Sequence, residues 1–411
     1  MTRIQYLIGN SILLLLFMGC GEQQKKAAPA QEADVQPTAV GEPIGQHSSL
    51  PFLVANGERT LLSFVEKKGD SLTTLKYTEL IKGEWQAPQE ILSGTDWFVN
   101  WADFPMIAEN KGNLWSHVLK KSTAGTYSYD VKMNVLPKGA AEWETNLALH
   151  TDGTPTEHGF VTVLPYKEGF FVCWLDGRNT LENEAGERGA MTIRAAEVAA
   201  NGKLSAETEL DVSSCDCCQT TAAITDSGPI VLYRDRSEEE VRDISIVRQV
   251  DGEWTTPKTI HDDGWQIKGC PVNGPKVAAL GNTVVAAWFT AAEKNPRAQV
   301  AFSNDAGAHF DAPIPIAGAK ALGRVDVLLL DGDTAIVSWL ESYDKHAQLK
   351  AVKVSRSGTL SEYHVIMELD ASRMTGFPQM EMVEDLIYFA WTDVSKAKSQ
   401  IRVAKVLVTD F

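Results

Sequence analysis

Beyond residue 43 the chain alternates short apolar runs with polar turns, and one kind of run recurs with a large ring at its end. It reads Leu61-Leu62-Ser63-Phe64, Phe171-Val172-Cys173-Trp174, Val231-Leu232-Tyr233, Val285-Ala286-Ala287-Trp288, Ile336-Val337-Ser338-Trp339 and Tyr388-Phe389-Ala390-Trp391. Leu114-Trp115-Ser116-His117 keeps the register with a histidine in the ring's place. The run ends are spaced by about 50 to 60 residues, a period that in a β-rich chain points to propeller blades. Each unit predicts four short strands: one bounded by turn signals, the aromatic-ended strand, a third such as Ile193-Arg194-Ala195-Ala196, and a closing hairpin. Seven runs predict seven blades in an all-β propeller, with six as the alternative if the first or last unit is irregular. The last unit stops after its third strand near Val408, so the segment around Ala39 to His47 is expected to add the fourth.

The closing hairpin often carries Gly-x-Trp-x-x-Pro, as at Gly83-Glu84-Trp85 with Pro88 and Gly252-Glu253-Trp254 with Pro257. Its variant Ser303-Asn304-Asp305-Ala306-Gly307-Ala308-His309-Phe310 fits the Asp-box pattern. There short Ser and Asp side chains bond turn amides, glycine takes a positive φ, and the ring packs between sheets. On this motif the chain resembles the sialidase superfamily and its BNR-repeat relatives, which implies a propeller more strongly than any activity. The stretch from Trp97 to Pro378 further resembles a group of exported, sialidase-like propellers. That resemblance is carried by Asp103-Phe104-Pro105, Glu157-His158-Gly159-Phe160, Cys215-Asp216-Cys217-Cys218-Gln219-Thr220, Tyr233-Arg234-Asp235-Arg236, Cys270-Pro271-Val272-Asn273-Gly274-Pro275, Gly323-Arg324-Val325-Asp326 and Gly376-Phe377-Pro378.

The 411-residue chain opens with a processing signal. Arg3 gives the positive flank, and Ile12 to Met18 form an apolar run too short for an ordinary spanning helix. Leu16-Phe17-Met18-Gly19-Cys20 resembles a bacterial lipobox, which implies cleavage after residue 19 and lipidation of Cys20. Gly21 in place of Asp favours the outer membrane or cell surface as destination. Residues 20–43, rich in Ala, Gln, Glu and Pro, read as a flexible tether, and 44–411 as the single propeller domain. A formal charge of -16 argues against nucleic acid or an anionic membrane surface as partner. Contact with the membrane is expected through the lipid only, and the chain is expected to act as a monomer.

In a propeller the segments leading into the innermost strands gather on one face, at the mouth of the channel. They bring together Asp103, Glu157, His158, Arg324, Asp326 and Arg373 as candidate catalytic groups. Gln219, Asn273, Asp235, Arg236 and Arg178 are candidates for binding a substrate. Converging polar groups at a concave mouth make the default site, with a glycan or small molecule as ligand. The sialidase resemblance implies an arginine cluster, for which Arg324, Arg373 and Arg236 are available, and acid and base roles for Asp103 and Glu157. It also implies a Tyr activated by Glu, yet no Tyr stands at an inner-strand entrance in the late blades, and the Arg-Ile-Pro signature is missing. A glycan-acting hydrolase and a non-catalytic receptor for a glycan or protein therefore both stay open.

Four of the six cysteines, Cys215, Cys217, Cys218 and Cys270, fall in neighbouring strand entrances. Export permits disulfides, and a bridge from Cys270 to one of the other three is the favoured use, tying blades four and five. With that use no cofactor is needed. The alternative is a thiolate site for copper or zinc. Adjacent cysteines of an extended strand face opposite ways, so Cys217 and Cys218 can share an ion only from a turn. Cys173, inside an apolar strand, is expected to be an inert buried thiol.

Overall fold

A computed structural model describes residues 38–39 and 44–411, apart from 70, 183–184, 206 and 395–397. The segment read as a signal peptide, the expected lipidation site at Cys20 and most of the expected tether lie outside the described residues. The rest forms seven antiparallel sheets, each with a four-strand path, arranged as a seven-bladed β-propeller. Seven blades, not the alternative six, is the observed count.

The innermost strands are Ser48–Ala55, Ile107–Asn110, His158–Tyr166, Thr221–Thr225, Lys276–Leu280, Ala321–Leu329 and Gln379–Val383. Each touches the next in chain order, and the last touches the first, which closes the ring. The second strands hold the recurring runs: Thr60–Lys68, Asn113–Lys121, Gly169–Asp176, Gly228–Arg234, Thr283–Thr290, Thr334–Tyr343 and Leu386–Asp393. They are apolar without strict alternation because both faces of each blade are covered by its neighbours. Their rings fill the gaps that twist opens between blades, and Trp115, Trp174 and Trp288 have no exposed surface at all.

Closure joins the two ends of the described chain. Thr38–Ala39 pairs with Ala404–Lys405 on the outer edge of blade seven, and Gln46 bridges Gln400. The outer strand therefore lies inside the stretch read as tether. It covers an edge that would otherwise present open backbone groups. At the Ser303–Phe310 turn, Ser303 Oγ accepts from the Gly307 amide at 3.0 Å, while Asp305 accepts from the His309 amide at 2.9 Å. Gly307 there adopts φ 78°.

Candidate functional site

Three acidic or phenolic groups meet where blades two and three open onto the mouth. Asp103 lies in the segment before Ile107–Asn110, and Glu157 immediately precedes His158–Tyr166. Between them stands Tyr129, the first residue of the third strand of blade two, Tyr129–Leu136. Its hydroxyl donates to Glu157 Oε1 at 2.6 Å and stands 3.4 Å from Asp103 Oδ2. A bulge after Gly159 turns the Phe160 amide toward Asp103 Oδ1, 2.8 Å away. Gly159 is needed there because a Cβ would collide with the Asp103 carboxylate.

Burial sets the electrostatics of this trio. Asp103 is 2% exposed, and desolvation raises its carboxyl well above the usual range against the pull of the Phe160 amide. Tyr129, wholly buried and flanked by two carboxyls, is likewise raised. Glu157 keeps partial contact with solvent. Desolvation raises it to about 7, helped by the charge of Asp216 and opposed by the hydrogen bond from Tyr129. Of the three, Glu157 is the one that can exchange a proton with a ligand near neutral pH.

A cavity of about 390 Å³ covers the trio and is lined in part by Phe98, Trp101, Tyr127, Cys217 and Arg373. Phe98 stacks on Tyr129 at 4.3 Å, and Trp101 lies parallel to Phe377 at 6.0 Å. Arg324 sits over Trp101, 5.0 Å from the ring centre, and donates to Thr375 Oγ1 and the Gly376 carbonyl at 2.8 Å each. Burial and the neighbouring Arg373 lower the Arg324 guanidinium to about 10, so it is still charged at neutral pH. Among the described residues neither Arg324 nor Arg373 has a carboxylate in ion-pair contact.

Other candidates are placed as braces. Arg178 forks onto Asp176 with two bonds of 2.7 Å and reaches Glu207 at 2.6 Å. Arg236 pairs with Glu240 at 2.8 Å and Asp216 at 3.2 Å, away from Arg324. Those contacts help wall a separate cavity of about 640 Å³, which shares Asp216 and Cys270 with the first. Asp235 accepts from Ser245 Oγ and the Arg236 amide. Asp326 accepts the Met380 and Val327 amides at 2.9 Å and ties blade six to blade seven.

Gln219 and Asn273 are buried in the same way. Gln219 donates to the Ala102 carbonyl at 2.6 Å and accepts from the Gly274 amide at 3.2 Å. Asn273 Oδ1 accepts the Arg324 amide at 2.8 Å, holding Arg324 at φ 52°. His158 lies beneath the trio rather than on the mouth. Its Nδ1 is 3.2 Å from the Tyr129 carbonyl, and its ring stacks on His150 at 3.9 Å.

The cysteines depart from the favoured disulfide. All five described cysteines are free, and Cys270 is exposed on the rim. Residues 216–218 form a turn instead of a strand, which lets Cys215, Cys217 and Cys218 point their sulfurs at one another. The Cys215 sulfur is 3.5 Å from that of Cys218 and 3.9 Å from that of Cys217. Sulfur contacts with Cys217 and Cys218 hold the Cys215 thiol far below its usual range, while contacts with Cys215 and Cys218 push Cys217 up. Cys173 is fully buried, and burial raises it to about 12, as befits an inert thiol.

No protein-family model and no curated protein matches the chain. Among solved structures it resembles a polysaccharide lyase, a PL25 ulvan lyase bound to -[GlcA(1-4)Rha3S]-, at a TM-score of 0.55 and 11% identity, over 91% of this chain and 97% of the lyase. The phage phi92 endosialidase matches at 0.49 and 8%, over 91% and 69% of the two chains. A Penicillium chrysogenum alpha-L-arabinanase complexed with arabinobiose matches at 0.48 and 9%, over 91% and 99%. At such identities the likeness is one of fold.

Proposed function

We propose that the chain is an exported, lipid-anchored hydrolase of acidic glycans, working at the mouth with Glu157 as its general acid. The observation that carries this reading is the hydrogen bond from Tyr129 to Glu157 on the floor of an aromatic-walled cavity. A carboxyl raised to about 7 holds a proton near neutral pH and can pass it from Oε to a glycosidic oxygen as the bond to the anomeric carbon breaks, while water bonds to that carbon and releases a proton that restores the acid. Tyr129 and Asp103 are positioning residues here, because burial leaves them almost no surface to offer a substrate. Tyr129 steadies the carboxylate that remains after proton transfer.

The acidic substrate is inferred from charge. Guanidinium groups suit carboxylate and sulfate; Arg373 lines the cavity and Arg324 packs on its wall residue Trp101, and neither has a carboxylate in ion-pair contact among the described residues. The rings of Trp101, Phe98 and Tyr127 offer apolar faces to sugar rings. The ulvan lyase, bound to a glucuronate- and sulfate-bearing oligosaccharide, supports the substrate class through shared fold only. Export and anchoring rest on Leu16 to Cys20 and are tested by lipid labelling of the wild type against Cys20→Ala.

The activity is tested by measuring reducing ends released from uronate-, sialate- and sulfate-bearing glycans beside neutral ones. Turnover confined to acidic glycans, lost at least about 100-fold in Glu157→Gln with little change in KM, is the expected result. An unsaturated product end would replace hydrolysis by elimination. Saturable binding without turnover, weakened by Arg324→Ala, would make the mouth a glycan receptor instead.

A further inference from the structure

The thiol trio beside the mouth has no part in the glycan reading. Cys215 and Cys218 are nearly fully buried, while Cys217 lines the cavity, so the cluster has one open side. Three sulfurs held by one ion at about 2.3 Å stand roughly 3.8 to 4.0 Å apart in tetrahedral or trigonal geometry. The observed 3.5 and 3.9 Å are close to that spacing, and all three sulfurs lie within 4.8 Å of one another. A disulfide would need about 2.05 Å.

The surroundings are those of sulfur anions. Arg242, 4% exposed, donates from Nη1 to Cys215 Sγ at 3.1 Å, and the Asn273 amide donates to Cys218 Sγ at 3.4 Å. Arg234 is 1% exposed, and its donors go to the carbonyls of Asn273, Arg242 and Phe289. It has no carboxylate in ion-pair contact among the described residues. The charge of this buried guanidinium is felt by the carboxylate of Asp243 on one side and by the Cys218 sulfur on the other. Arg242 shares its own charge with Glu240 at 2.8 Å.

We propose that Cys215, Cys217 and Cys218 bind one copper(I) ion in a three-coordinate thiolate site. Thiolates are soft ligands, and soft ligands select copper(I) and zinc. Structural zinc takes four ligands, whereas the cluster holds three donors and, among the described residues, no further His, Cys, Asp or Glu with a donor atom within 4.8 Å of all three sulfurs. Three thiolates with copper(I) carry a net charge of about -2, which the guanidiniums of Arg242 and Arg234 are placed to offset. The ion enters past Cys217 from the cavity, so the site sits within reach of whatever occupies the mouth.

The test titrates the full, anaerobically reduced chain with copper(I) against a chromogenic chelator, with zinc in a parallel series. One copper(I) per chain, with an X-ray absorption signature of three sulfurs and no nitrogen, is expected. Cys215→Ser, Cys217→Ser and Cys218→Ser should each weaken binding by more than the 10- to 100-fold typical of outer-shell changes. Arg242→Met should fall within that range, and Cys270→Ser should bind as the wild type does. No stoichiometric copper(I) on the wild-type chain, tighter zinc than copper(I), or loss of the ion in Cys270→Ser would overturn the proposal. Because the wild type decides the first two, a misfolded variant cannot obscure the answer. Glycan turnover by the metal-free chain is a separate readout, so either reading can fail alone.

Discussion

Glu157→Gln should make the protein more stable at pH 8 and leave it little changed at pH 4. In the folded chain Glu157 is raised from 4.5 to about 7, chiefly by burial. Its folded value lies above its unfolded one, so between the two the unfolded state binds fewer protons. Stability is therefore fully present below pH 4.5 and is lost as pH rises through 7. Over that window the cost of ionising Glu157 reaches about 3 kcal/mol at most, reduced by its residual contact with solvent. Glutamine has no proton to lose yet keeps an acceptor for the Tyr129 hydroxyl. Denaturant unfolding followed by tryptophan fluorescence at pH 4 and pH 8 reads the difference. Asp326 and Glu381 are raised as well, but they are common to both proteins and cancel, whereas Asp103 is raised in part by the charge of Glu157, so the substitution relieves it in the same direction. A stability gap between variant and wild type that is the same at both pH values would show that Glu157 is not held in a desolvated site.

Tyr129→Phe removes the donor that steadies ionised Glu157, so the alkaline limb of the pH–rate profile, set by loss of the Glu157 proton, should move to higher pH. An unmoved limb would assign that limb to another group. Gly323→Ala places a Cβ against the Asn273 amide oxygen at φ 81°, and should cost at least about 1 to 3 kcal/mol in thermal unfolding while displacing Arg324. Removing residues 1–43 strips the strand Thr38–Ala39 from Gln400–Leu407. Lower thermal stability and concentration-dependent association should follow, and a monomeric product with unchanged melting would refute that strand's role in closure.

Much of the site's location was readable from spacing alone, because propeller topology sends every inner-strand entrance to one face. Asp103, Glu157, Arg324 and Arg373 follow from that rule. Tyr129 does not: it opens a third strand in an early blade, where no entrance pattern marks it. Its only signals in sequence are position, next to the Tyr127 ring after a Ser/Gly-rich turn. Which arginines keep a free charge was equally hidden. Arg178 and Arg236 resemble Arg324 on paper, but Asp176, Glu207, Glu240 and Asp216 occupy them.

The amino-acid order by itself pointed to seven blades, since a strand buried between two sheets must be apolar and the repeat of that run counts the sheets. It pointed as well to closure by the N-terminal segment, but the structure decided against six blades and placed the closing strand at Thr38–Ala39, inside the stretch read as tether. The amino-acid order also placed three cysteines within four residues. Only the tertiary structure decided what they do. A turn at 216–218 folds all three sulfurs inward beside Arg242, while Cys270 is left facing solvent on its own loop. The pairing of charges and the meeting of thiols depend on distances of a few ångströms between loops from different blades, and strand periodicity carries no information on that scale.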